Sequence, residues 1–102
     1  MPVVNVYRDE FDVYIGRKHP TFGKGSKFAN PFHIGVDGPR KIVLRKYKRW
    51  LWDQIRAVEI TVAELRALDG LRLGCFCKPE DCHGDILLDA VAWAISAEEF
   101  LL

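Results

Sequence analysis

The chain has 102 residues, of which 49% are hydrophobic and 28% charged, with a net charge of +1. These proportions are those of a soluble globular protein, and the length predicts one domain, residues 1–102, with a modest core. No apolar run is long enough to span a membrane and no secretory leader pattern opens the sequence, so no membrane partner and a cytoplasmic location are expected.

Residues 3–8 (VVNVYR) and 12–17 (DVYIGR) are β-branched and partly alternating, and both predict strands. The short link Asp9-Glu10-Phe11 predicts either a hairpin or one bent strand system. Residues 18–39 (KHPTFGKGSKFANPFHIGVDGP) have no sustained period. A loop this long in a small domain is usually functional or disordered. Phe22, Phe28 and Phe32 argue for order, so an aromatic, basic ligand wall is expected.

Pro39 opens a helix, with a buried stripe of Leu44, Tyr47, Leu51, Ile55 and Val58 at three- and four-residue steps. Thr61-Val62-Ala63-Glu64 is a capping box for a second, short helix, which Gly70 stops. Residues 71–77 (LRLGCFC), apolar on both faces, predict a central strand. Residues 85–95 (DILLDAVAWAI) are apolar nearly all round and predict a largely buried helix. The tail ends in Phe100-Leu101-Leu102, which would pack on the core or on a second copy in an oligomer. Trp50, Trp52 and Trp93 are expected mostly in the core, with one available to stack on a base.

The order is β-β-long loop-α-α-β-α, which predicts a small α/β, Rossmann-like three-layer domain with a short, mostly parallel or mixed sheet. In such sheets ligands sit beyond the carboxyl ends of the strands. That rule brings Gly16 and Arg17 beside the turn that follows Cys77.

Charge supports an anionic partner. Residues 17–49 hold ten Lys or Arg against one acid, Asp37, whereas residues 50–102 hold four bases against ten acids. A solvated basic face accounts for this block equally well.

The chemistry is concentrated in GCFCKPEDCHGD, residues 74–85, which carries all three cysteines. Two readings compete. Cys75, Cys77, Cys82 and His83 are a legitimate zinc set, although Cys-x-Cys is an unusual ligand spacing. Alternatively, Cys82 and His83 open a helix whose free N–H groups and dipole favour negative charge. There a thiol has a lowered pKa, Gly84 lets a ligand approach the backbone, and Asp85 caps the helix or binds a sugar hydroxyl. Arg17 would clamp a phosphate or pair with a carboxylate. Asn30 would read a base or form an Asx-turn. His19 and His33 read as incidental.

Ile15-Gly16-Arg17, Ala29-Asn30-Pro31-Phe32, Tyr47, Trp50-Leu51, Leu73-Gly74-Cys75-Phe76-Cys77-Lys78-Pro79 and Cys82-His83-Gly84-Asp85 occur in this order. Together they resemble the small bacterial and phage family called domain of unknown function 4326, over nearly the whole chain. The strand-end cysteine followed by Cys-His is also similar to domain of unknown function 488, whose pattern lacks the second strand cysteine. That resemblance weighs against four-ligand zinc. Both families look like small Rossmann-like domains that bind nucleotides or nucleoside derivatives, the nucleoside deoxyribosyltransferases among them.

The expected function is therefore binding of a nucleotide- or nucleoside-derived anion by Gly16, Arg17, Asn30, Arg40 and Gly84, with no cofactor. Turnover would use Cys82 or Asp85 as nucleophile and His83 as acid or base. Sequestration would use the same pocket. One alternative is a nucleic-acid-binding module built on the basic helix 40–49. A second is an interaction domain stapled by zinc.

Overall fold

The computed structural model describes residues 3–101, with side chains described for residues 3–97. The elements are β1 (Val3–Asn5), β2 (Val13–Tyr14), α1 (Arg40–Arg56), α2 (Val62–Arg66), β3 (Leu73–Cys75) and α3 (His83–Leu101). Their order is the predicted one. The expected packing of Phe100-Leu101-Leu102 lies outside the residues whose side chains are described.

The sheet has the order β1-β3-β2. Both pairings are parallel, with Val3 and Val13 opposite Leu73, and Val4 and Tyr14 opposite Gly74. The expected hairpin or bent strand is thus corrected, because β3 lies between β1 and β2. Backbone N–H groups of Arg8 and Asp9 donate to the Asn5 carbonyl, which turns the chain out of line at the end of β1. Residues 6–12 then cross the face of β3. A Cβ on Gly74 would stand 2.8 Å from both Val6 Cγ1 and the Phe11 ring. Only the absence of a side chain lets the crossing lie this close.

Alternation along the strands separates two faces. Val3, Ile15, Leu73 and Cys75 enter the main core, joined by Tyr47 and Leu51 of α1, Leu65 of α2, and Leu87, Ala90 and Ala94 of α3. The other face carries Gly74 and Tyr14 and is covered by aromatic side chains from the connections. There Phe22 lies with ring centroids 5.6–5.8 Å from those of Tyr7, Phe11, Tyr14 and Phe76. The layer on this face is aromatic rather than helical.

The stripe on α1 differs from the expected one. Val43, Tyr47 and Leu51 are its buried residues. Leu44 turns instead toward a cavity. Val58 lies beyond the helix end, 70% exposed, with φ of 59°. The helix stops at Arg56, so the three-and-four period outruns the element that carries it. On α2 the capping box forms: the Glu64 N–H donates to Thr61 Oγ1 (3.1 Å), and the Thr61 N–H to Glu64 Oε1 (3.0 Å). Helix α3 buries one face, while Trp93 stays 40% exposed against Trp52.

The first turn of α3 touches the sheet. A Cβ on Gly84 would fall 2.9 Å from Ile15 Cδ1 and from Val3 Cγ1. Gly84→Ala is expected to destabilise the fold by about 1–3 kcal/mol through overpacking. Leu87, fully buried, should cost about 2–5 kcal/mol as Leu87→Ala. Urea unfolding of the two variants checks both values.

Candidate functional site

A cavity of about 400 Å³ opens beyond the carboxyl ends of β2 and β3. Gly16 and Arg17 enter it from the end of β2, and Cys75, Phe76 and Cys77 from the end of β3. Arg40, Val43 and Leu44 come from the first turns of α1, and His83 from the start of α3. Residues 18–39 supply the remaining wall through Lys18, His19, Asn30, Phe32, His33 and Ile34.

That long segment is ordered by fixed contacts. The Ser26 N–H donates to the Gly16 carbonyl (2.9 Å). The buried Tyr47 hydroxyl donates to the Phe28 carbonyl (2.8 Å). Lys27 pairs with Glu64 (2.6 Å). Arg17 Nη1 donates to the carbonyls of Asn30 (2.8 Å) and Phe32 (3.1 Å). The Nε and Nη2 donors of Arg17 have no hydrogen-bond partner among the described residues. Asn30 forms the Asx-turn, its Oδ1 accepting from the Phe32 N–H (2.9 Å).

The cysteine turn is built as a helix cap. The Gly84 N–H donates to Cys82 Sγ (3.4 Å), and the Cys82 N–H donates to Asp85 Oδ2 (3.1 Å). This is the reciprocal logic of a capping box, with a thiol in the place of a hydroxyl. Lys78 Nζ holds the same carboxylate at 2.7 and 2.8 Å. Asp85 is thus committed to the turn.

His83 bridges helix and sheet. Its Nε2 lies 2.9 Å from the Ile15 carbonyl oxygen, and its Nδ1 lies 3.6 Å from Cys82 Sγ. A carbonyl can only accept, so we assign the ring proton to Nε2. Nδ1 is then the acceptor nitrogen, with the Cys82 thiol beside it. Burial lowers the His83 pKa, and the positive charge of Arg17 adds to this. Burial thus favours the neutral imidazole, against the hydrogen bond to Ile15.

The three thiols share a neighbourhood with unequal outcomes. Hydrogen bonding to Cys82 lowers Cys75 to about 7, and backbone N–H groups of Lys78 and Cys77 assist. Cys77 is lowered to about 6, first by Cys82 and then, against burial, by the hydrogen bond and charge of Arg40. Cys82 is pushed strongly up by the other two sulfurs and by burial. A single Cys82 proton serves only one of Cys75, Cys77 and His83 Nδ1 at a time. Cys75 is buried, whereas Cys77 is half-buried with Arg40 beside it. Cys77 is therefore the thiol whose surroundings most favour the thiolate.

Among the predicted residues, Gly16, Arg17, Asn30, Arg40, Cys75, Cys77 and His83 line the cavity. Cys82 is buried behind Cys75 and Cys77 as the cap, and the open side of Gly84 faces Val3 and Ile15. Asp85 faces Lys78. Among the described residues, no three His, Cys, Asp or Glu side chains are grouped to hold a metal ion. Sequence reasoning missed Tyr14, His19 and Phe76, whose rings form one aromatic wall. The Phe76 centroid lies 5.9 Å from that of Tyr14 and 5.2 Å from that of His19. Strand alternation held the signal, since Phe76 between two inward cysteines must face the other way. No tryptophan lines the cavity.

A family model described as "Domain of unknown function (DUF4326)" matches residues 4–93. The chain belongs to the DUF4326 family. Every residue that lines the cavity falls within the matched span. The chain is also similar to the "Uncharacterized 12.4 kDa protein in nrdA-td intergenic region" of Enterobacteria phage T4. They are 41% identical over 90 residues, covering 87% of this chain and 75% of the relative. No solved structure matches. No helix among the described residues is long and apolar enough to cross a membrane.

Two measurements test this electrostatic picture. Iodoacetamide should alkylate Cys77 before Cys75 and Cys82, with a rate that levels off near pH 7 instead of rising to pH 9. In Arg40→Ala that plateau should move to higher pH; peptide mapping by mass spectrometry reads both. For His83, the folded pKa lies below the ordinary value of 6.5. The unfolded chain therefore takes up the proton first as pH falls. Stability from this group is complete above pH 6.5 and declines below it. His83→Gln keeps a donor for Ile15 without titrating, so urea midpoints between pH 6.5 and 5 should flatten in that variant.

Proposed function

We propose that the cavity of this DUF4326 domain binds a nucleotide- or nucleoside-derived anion. One observation carries the proposal: a single cavity joins the cations Arg17, Lys18 and Arg40 to the aromatic wall of Tyr14, His19 and Phe76. A phosphate suits the first group and a base the second. Arg17 offers planar, charge-assisted donors to a phosphate. Phe76 and Tyr14 offer faces or edges to a base, and such stacking contributes about 1–3 kcal/mol per base. Asp81, the one acid on the wall among the described residues, holds Arg40 through its backbone carbonyl (2.7 Å). The position at the carboxyl ends of parallel strands is the usual one for a ligand in an open α/β sheet.

Cys77 is the thiol that a nucleophilic role would use, since it stands on the wall beside Arg40, whose hydrogen bond and charge favour its thiolate. The zinc-stapled alternative has less support, because His83 already commits one ring nitrogen to Ile15 and the other to Cys82.

Titration calorimetry with nucleoside 5′-monophosphates, free nucleosides and inorganic phosphate tests the proposal. The monophosphates should bind more tightly than either fragment. Phe76→Ala should weaken them by about 1–3 kcal/mol. Arg17→Ala should cost about 1.5–3 kcal/mol, the range for a hydrogen bond to a charged group. Leu87→Ala should lower stability and leave affinity unchanged. Monophosphates that bind no better than phosphate alone would refute the proposal.

A further inference from the structure

The cavity does not end at Arg40. The same residue lines an adjoining depression with Lys41, Arg45 and Lys48. Arg45 and Lys48 in turn line a third, with Arg49, Trp52 and Arg56. One basic track thus runs from the cavity mouth along α1. Its positions recur at three- and four-residue steps, which keeps them on one side of the helix. From Arg40 to Arg56 the track spans about 24 Å at 1.5 Å per residue.

Four cations between the ends of this track are uncompensated. Lys41, Arg45, Lys48 and Arg49 are exposed and have no hydrogen bond or ion pair among the described residues. Two carboxylates touch the track. Asp53 is paired with Arg56 (2.9 Å), and Asp81 sits at the cavity end. Like charges at helical spacing repel one another, and an anionic chain laid along them removes that repulsion. Trp52 is half-buried beside Arg49 and Arg56 and offers a second ring at the far end.

We propose that the cavity receives one nucleotide of a single-stranded nucleic acid while the basic side of α1 holds the phosphates that follow it. This rests on the nucleotide reading of the cavity given above and names the form in which the nucleotide arrives. A positively charged track with aromatic stations is the arrangement that binds single strands without regard to sequence. A base inside a duplex stack cannot reach an enclosed wall without leaving the stack, so a single strand is the favoured partner. An acidic peptide or an anionic membrane would engage the cations but would have no use for the aromatic cavity to which they connect.

Fluorescence anisotropy with a labelled oligonucleotide of about eight nucleotides, set beside calorimetry with a mononucleotide, tests the proposal. The oligonucleotide should bind at least about tenfold more tightly than the mononucleotide at low salt, and its affinity should fall steeply with salt. The triple variant Lys41→Gln/Arg45→Gln/Lys48→Gln should lose that advantage and leave mononucleotide affinity unchanged. Its log–log salt slope should be shallower by about 2, at roughly 0.7 per phosphate contact on a single strand. Phe76→Ala should weaken both ligands. An oligonucleotide bound no more tightly than the mononucleotide, or a salt slope unchanged in the triple variant, overturns the strand proposal and leaves the cavity reading in place. Equal affinity for the matching duplex overturns it as well. So does oligonucleotide binding that ignores Phe76→Ala, because the helix would then act without the cavity. Failure of both ligands to bind removes both proposals together.

Discussion

The missing side chain at Gly74 is the constraint on which the architecture depends. Parallel neighbours normally need a crossover of a dozen or more residues, commonly a helix. Here β1 and β2 flank the same central strand with only residues 6–12 between them. That segment has no length to arch over the sheet, so it lies flat against it, with Val6 and Phe11 pressed onto Gly74. Because the crossing succeeds, all three strands run the same way. Their carboxyl ends collect on one side, and Arg17 comes to stand near Cys77. A side chain at position 74 would act on the cavity through the path of the chain and not through any contact with its wall.

In the cysteine turn one thiol proton has three acceptors within reach. Cys82 caps α3 with its sulfur, and its proton faces the His83 imidazole and the other two thiols. The imidazole is fixed in turn by the Ile15 carbonyl at the end of β2. The helix start, the sheet edge and the cavity floor are thus joined by a short polar chain inside an apolar surround. In such surroundings each link is strengthened, and each unsatisfied link would be costly. Among the described side chains, no buried nitrogen or oxygen lacks a partner.

Local features were the legible ones. The order of elements, the Thr61–Glu64 capping box and the helix that starts beside Cys82 all follow from neighbours in sequence. The nearness of Gly16 and Arg17 to Cys77 followed from the rule about strand ends. What escaped was set by tertiary contact. The place of β3 between β1 and β2 depends on Gly74, whose meaning appears only once Phe11 is known to cross it. Periodicity extended the α1 stripe to Val58 because a period carries no stop signal of its own, while the chain turns at Ala57. Asp85 looked available for catalysis, but Lys78 and the Cys82 N–H claim it, and neither partner can be inferred from residue type alone. The aromatic wall was hidden for a similar reason, since Tyr14, His19 and Phe76 are scattered in sequence and meet only across the sheet.

The segment formed by residues 18–39 is pinned to β2 through Arg17 and Gly16, to α1 through Tyr47 and to α2 through Glu64. Its backbone is therefore ordered before any ligand arrives. Little chain entropy remains to be lost on binding, which removes one of the usual costs of association. If the cavity takes a ligand as proposed, discrimination falls to the fixed outline of the opening, as with a rigid mould, and capture needs no ordering of this segment.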